Sequence, residues 1–256
     1  MRGMMDTTTL NIDAMTAAAR ARMYRFLAKA FLYPMKDSLK VLTLAGSSDA
    51  LVGFSVLHPT SSDFQDALRE LDHTLNGEEK WLTIENLEYE YNRLFAHLGS
   101  AKCPPYETEY GHDNVFQKTQ AMADIAGFYY AYGLDVADEN AERIDFISTE
   151  LEFMSFLALN EAYACEKDIS EQMEICLDTQ RKFLRDHLGR WISVFVKILM
   201  KSTDNRLYRD IGRLTMLFLR EEAVRLDVVL EEVTGPNKEV QKVPDPFDCS
   251  ACTSRA

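Results

Sequence analysis

The chain has 256 residues, 46% of them hydrophobic, with 28 basic and 41 acidic side chains and a net charge of −13. That length suffices for one large domain or two small ones with a sizeable buried core. The acidic balance repels phosphate backbones and anionic membranes and attracts cationic partners, which argues against nucleic acid and against stable membrane association.

The amino terminus, MRGMMDTTTLNIDAM, has no apolar core of the secretory-signal kind. Residues 16–33 then read at helical period, with Met23, Phe26, Leu27, Ala30 and Phe31 on one stripe and Pro34 as the stop. One or two short helices are expected around Gly46 within 37–57, with a break at His58-Pro59. Ser62 is the candidate cap of a helix over 63–76 that Gly77 ends. Thr83 is the candidate cap of the next, 83–98, ended by Gly99. A helix over about 114–132 runs to Gly133, and the acidic connector 135–142 leads to a long helix at 146–166 with Asp145 as its cap. Helices at 169–185, 188–202 and 205–231 complete the pattern. The longest apolar stretch, WISVFVKILM at 191–200, is too short to span a bilayer and is broken by Lys197. Glycine (11) and proline (7) are too scarce for a turn-rich β sandwich. The expectation is an all-α, single-domain helical bundle over 10–234, followed by a flexible tail at 235–256.

No dinucleotide or P-loop glycine pattern occurs, and neither HExxH nor GxSxG is present. The many carboxylates read as a solvated face, and no enzymatic centre is expected. The one metal-like signal is CSAC in the tail, where Cys249 and Cys252 supply two thiolates, half of a tetrahedral site. They are weak metal candidates beside the plainer reading of two reduced thiols. A metal- or redox-responsive protein acting through this CxxC is therefore the alternative function. Five cysteines without an export signal fit a cytoplasmic location.

The stretch KCPPYETEYG at 102–111 stands apart from the helical pattern. Pro104 and Pro105 stiffen the backbone, and Tyr106, Glu107, Glu109 and Tyr110 crowd behind them. Two readings stand: the acids receive a cationic peptide on a preorganised bend, or the tyrosines pack the bend onto the core and the acids are solvated. Asp145 likewise reads as a helix cap, a ligand, or both.

Three stretches together resemble the TorD/DmsD/NarJ family of redox-enzyme maturation chaperones: RARMYRFLAKAFLYP (20–34), EYEYNRLFAHLGSAKCPPYETEYG (88–111) and ERIDFISTELEFMSFLALNEAYA (142–164). HLGRW at 187–191 is similar to a later helix junction of that family. The resemblance implies a TorD-like helical fold, monomeric or domain-swapped dimeric, with no catalysis and no cofactor of its own. It further implies a partner: the amino-terminal segment of a molybdopterin oxidoreductase catalytic subunit. That segment, carrying a twin-arginine signal where the client is exported, is held until the cofactor is inserted. Pro104, Pro105, Tyr106, Glu107, Glu109, Tyr110, Asp145 and Phe146 are then the expected peptide-binding residues. The family pattern has Pro-Asp-His where this chain has Ile144-Asp145-Phe146, so any histidine-dependent role at that spot, nucleotide binding included, lacks its side chain.

Overall fold

The structure is a computed structural model, in which residues 7–45, 61–77, 82–96, 101–111, 114–134, 142–231 and 233 are described. Its helices are α1 (Thr7–Ala30), α2 (Ser38–Ala45), α3 (Ser62–Asn76), α4 (Ile84–Phe95), α5 (Val115–Ala131), α6 (Ile147–Glu166), α7 (Ser170–Phe183), α8 (Gly189–Ser202) and α9 (Arg206–Arg225). A 3₁₀ turn covers Glu107–Glu109 and a π turn covers Leu184–Leu188. Among the described residues there is no strand, only an antiparallel bridge between Tyr106 and Phe146. The all-α reading holds.

Helix α1 starts at Thr7, well before residue 16, since no glycine or proline interrupts 7–30. It ends at Ala30 rather than 33. The amides of Phe31 and Leu32 bond back to Ala28 and Lys29 in a tightened last turn ahead of Pro34. The cap of α3 is Ser61, not Ser62. Ser61 has the extended backbone a cap needs, and its side chain accepts the Phe64 N–H at 3.4 Å. Thr83 caps α4 as expected, accepting from Asn86 N–H at 3.3 Å. That helix closes at Phe95; the expected stop at Gly99 lies outside the described residues, as do Gly46, His58-Pro59, most of the acidic connector and the 235–256 tail with Cys249 and Cys252.

α1 and α6 run antiparallel, drawn close by two serines. Ser148 Oγ donates to Ala28 O at 2.6 Å and Ser155 Oγ to Ala21 O at 2.8 Å. α9 closes the other side of the core against α3, with Thr74 Oγ1 donating to Asp210 at 2.6 Å. At the centre Arg20 is fully buried. Its guanidinium donates to Glu222 at 2.6–2.9 Å, to Glu161 at 2.7 Å and to Gln180 at 2.5 Å, joining α1 to α6, α7 and α9. Such a charge is tolerable in the core because every arm of its fork meets an acceptor.

The expected gap between 185 and 188 is absent. The chain passes from α7 into α8 through the π turn, where Gly189 N–H reaches the Leu184 carbonyl. A Cβ at Gly189 would collide with that carbonyl oxygen and lie 2.5 Å from Leu230 Cδ2. The last helix stops at Arg225 instead of 231 because Asp227 adopts a left-handed backbone (φ 54). Val228 N–H then bonds Ala223 O at 2.8 Å and reverses the chain. The segment that follows packs Val228, Leu230 and Val233 on the core, and Val233 N–H bonds Arg190 O at 3.1 Å.

Candidate functional site

The proline bend is pinned at four places. Tyr110 OH donates to Pro104 O at 2.7 Å, closing the bend on itself. The buried Tyr110 ring stacks on Trp191 with centroids 5.3 Å apart. Glu107 N–H bonds Asp145 O and Ile147 N–H bonds Pro105 O, both at 2.9 Å, and this bridge stitches the bend to the start of α6. Gly111 (φ +69) then turns the chain away under Val233, leaving no room for a Cβ.

Asp145 does not cap its own helix. Phe146 holds the cap position of α6, without a side-chain bond, and is itself buried. Asp145 is fully buried and faces the bend instead. It accepts from Thr108 N–H (3.2 Å) and Oγ1 (2.7 Å), and from Arg143 Nε (2.9 Å) and Nη2 (2.8 Å). Thr108 faces it from the bend and Arg143 from two residues upstream, so its oxygens turn to these donors rather than to the amides of α6. Arg143 also lies over the Tyr106 ring, 4.3 Å from its centroid, and sits 3.9 Å from Glu109. Lys118 of α5 approaches Glu109 from the other side at 3.1 Å. The chain's own cations thus already answer two of the expected peptide-binding acids. Sequence reasoning missed both: Arg143 directly follows an acidic connector, and Lys118 looks like a solvated helix residue.

Glu107 points inward. It is buried and pairs with His187 Nδ1 of the π turn at 3.1 Å. Glu150 of α6 lies beside it and accepts from Trp191 Nε1 at 3.1 Å. Burial pushes the Glu150 carboxyl well above the usual range, and the neighbouring Glu107 carboxylate pushes it further. Burial pulls the His187 imidazole the opposite way. The Glu107 hydrogen bond and charge, with Asp124 at 3.2 Å from Nε2, outweigh it and raise the value above the ordinary one. Glu107 Oε2 and His187 Nε2 make no hydrogen bond among the described residues.

Of the expected peptide-binding residues, Pro104, Tyr106 and Glu109 are therefore partly exposed, while Pro105, Glu107, Tyr110, Asp145 and Phe146 are buried beneath them. Of two hollows, one borders this ridge. On the Glu107 side a cleft of about 640 Å³ lies among the bend, α5 and the π turn, lined by Glu107, Gln117, Gln120, Asp124, Asp186, His187 and Arg190. The other, of about 600 Å³, lies between the end of α1 and α2, lined by Leu32, Tyr33, Met35 and Leu42 together with Lys29, Lys36, Asp37, Ser38 and Glu142. Among the described residues no cluster of histidine, cysteine and carboxylates could hold a metal ion; Cys103, Cys165 and Cys176 are buried free thiols.

Residues 58–197 match the family model described as nitrate reductase delta subunit. A chaperone protein TorD of Vibrio cholerae is 23% identical over 177 residues, covering 67% of this chain and 78% of the relative. The selenate reductase assembly chaperone protein of Thauera selenatis is 31% identical over 130 residues, covering 48% of this chain and 62% of its own length. In fold, the chain is similar to a crystal structure from Archaeoglobus fulgidus described as that of a redox enzyme maturation protein. Their TM-score is 0.50 at 24% sequence identity, over 78% of this chain and 93% of the other.

Proposed function

The chain belongs to the nitrate reductase delta subunit family, and from that membership we propose that it is a chaperone for one molybdopterin oxidoreductase, holding the amino-terminal segment of the catalytic subunit while the cofactor is inserted. Its relatives are named for chaperoning and assembly, and like them it is not an enzyme. The observation that carries the proposal is the acid-lined cleft against the rigid bend, on a chain with a net charge of −13. A leader in which a basic pair precedes an apolar stretch, as in a twin-arginine signal, has the complementary order of charge and hydrocarbon. In this reading Pro104, Tyr106 and Glu109 touch the peptide, Glu107 and Asp124 face its cations, and Pro105, Tyr110, Asp145 and Phe146 hold that surface from beneath. The stiffness of the bend lowers the ordering cost of capturing a flexible segment.

Titration with the client's leader peptide tests this. A dissociation constant near the micromolar range, about −8 kcal/mol, is expected for a short segment that orders on binding. Affinity should fall as salt rises, because the charges at the cleft are partly exposed and screened. Asp124→Asn should weaken binding by roughly 1 kcal/mol without unfolding the protein, since the side chain is 65% exposed. Exchanging the peptide's arginines for lysine should weaken binding less than exchanging them for glutamine, as charge persists while the bidentate geometry is lost. Binding that is indifferent both to salt and to Asp124→Asn would reject this site.

A further inference from the structure

Helix α5 has the composition of a core helix and the exposure of a surface one. In VFQKTQAMADIAGFYYA only Ile125 and Tyr129 are buried, whereas Val115, Phe116 and Tyr130 are 79%, 77% and 82% exposed. At helical period Phe116, Ala123, Gly127 and Tyr130 fall along one line. Gly127 is the telling member. It lies inside a regular helix, where glycine is less favourable than alanine by about 1 kcal/mol. It has no left-handed backbone, and nothing lies within 4 Å of the place its Cβ would occupy. No contact within the described chain calls for a glycine there, but the close approach of a second helix would. The strip also borders the cleft, since Ala123 and Asp124 line it with Asp186, Arg190 and the buried Glu107–His187 pair.

We infer that this face of α5 is the docking surface for a helical segment of the client, lying across Gly127 between Phe116 and Tyr130 with its basic residues reaching Asp124 and Glu107. Charge selects the occupant. A second copy of this chain also carries −13 and would bring like charges together, whereas a basic amphipathic helix matches both the apolar strip and its acidic margin. The inference rests on the chaperone reading and adds the surface and the helical form of the bound segment.

The test places a photo-crosslinking p-benzoylphenylalanine at Phe116 or Tyr130 of the full chain in its native host, with Ile175, 53% exposed on α7, as the comparison position. Crosslinks from 116 and 130, but not from 175, to the amino-terminal segment of a molybdopterin oxidoreductase catalytic subunit are expected. Gly127→Leu, which meets no neighbour in the folded chain, should then lower affinity for a peptide of the captured sequence at least tenfold while leaving the melting temperature unchanged or higher. Capture of that subunit from 175 alone, or unchanged affinity in Gly127→Leu, overturns the α5 surface and leaves the chaperone reading intact. Crosslinks from 116 and 130 only to a second copy, or to residues 234–256 of the same chain, also overturn it. If no position captures an oxidoreductase subunit, the α5 surface is overturned, and the chaperone reading is judged separately by whether the full chain without the photo-crosslinker pulls that subunit down.

Discussion

Glu150 and His187 show how burial sets the chemistry under the bend. Both have folded-state values raised above their ordinary ones, Glu150 by burial and then by Glu107, and His187 by Glu107 and Asp124 against the pull of burial. Unfolded values lie near ~4.3 for glutamate and ~6.5 for histidine. For a group whose folded value is raised, the stabilisation is complete below the unfolded value and is lost as pH rises through the folded one. Glu150→Gln keeps an acceptor for Trp191 but has no proton to lose. The variant should therefore gain stability relative to the wild type as pH rises from about 4 towards 8, read from urea midpoints across that range. Parallel pH profiles would show that Glu150 is ionised in the fold. The same residues explain what the sequence left open at the bend. Tyr110 packs inward and Glu107 is buried, while Pro104, Tyr106 and Glu109 remain accessible. Of the packing reading, the inward tyrosine holds for Tyr110, and the solvated acid does not hold for Glu107.

At the scale of elements, the π turn is the place where one methyl group should matter most. Gly189→Ala would press its Cβ onto the Leu184 carbonyl and the Leu230 side chain, so a loss of about 1–3 kcal/mol is expected in denaturant unfolding. An unchanged midpoint would mean that the junction relaxes freely. Legibility followed the type of residue at each helix end. Gly133 announced the end of α5 because glycine adopts its left-handed φ of 68 without strain. The same reversal after α9 is made by Asp227, and the one after α6 by Asp168 (both φ 54), and aspartate carries no such signal. The expected 205–231 helix therefore overran its true end. Thr83 could be read as a cap because it stands alone before its helix, whereas Ser61 and Ser62 are adjacent and only backbone geometry separates them. The helical stripes, and with them the helical fold, were legible in the described residues of 16–225. The pairing of Asp145 with Arg143 and Thr108 was not, since it depends on a tertiary contact between the bend and the start of α6.

For the molecule as a whole, the buried Arg20 hub is the main long-range tie, linking residues 202 positions apart in sequence. Periodicity puts Arg20 on a basic first helix and says nothing of its complete burial. Arg20→Leu should destabilise the protein by about 3 kcal/mol, because buried Glu222 and Glu161 would lose the guanidinium that binds them both and keep only the partly exposed Arg225 beside them. Adding Glu222→Leu should restore part of the loss. If the single variant melts like the wild type, the hub is hydrated in solution and does not hold the helices together.

Val233 gives the bend a different dependence, one of timing. Gly111 at the end of the bend packs under Val233, and Val233 in turn is tied to Arg190. During synthesis residue 111 leaves the ribosome long before residue 233 exists, a delay on the order of ten seconds at ~5–20 residues per second. Through that interval the nascent chain has its prolines and acids in place but not the clasp that seats them. In the proposed reading, a leader emerging nearby would meet the seated bend only on chaperone molecules whose own translation has passed residue 233, and shorter nascent copies would not compete for it.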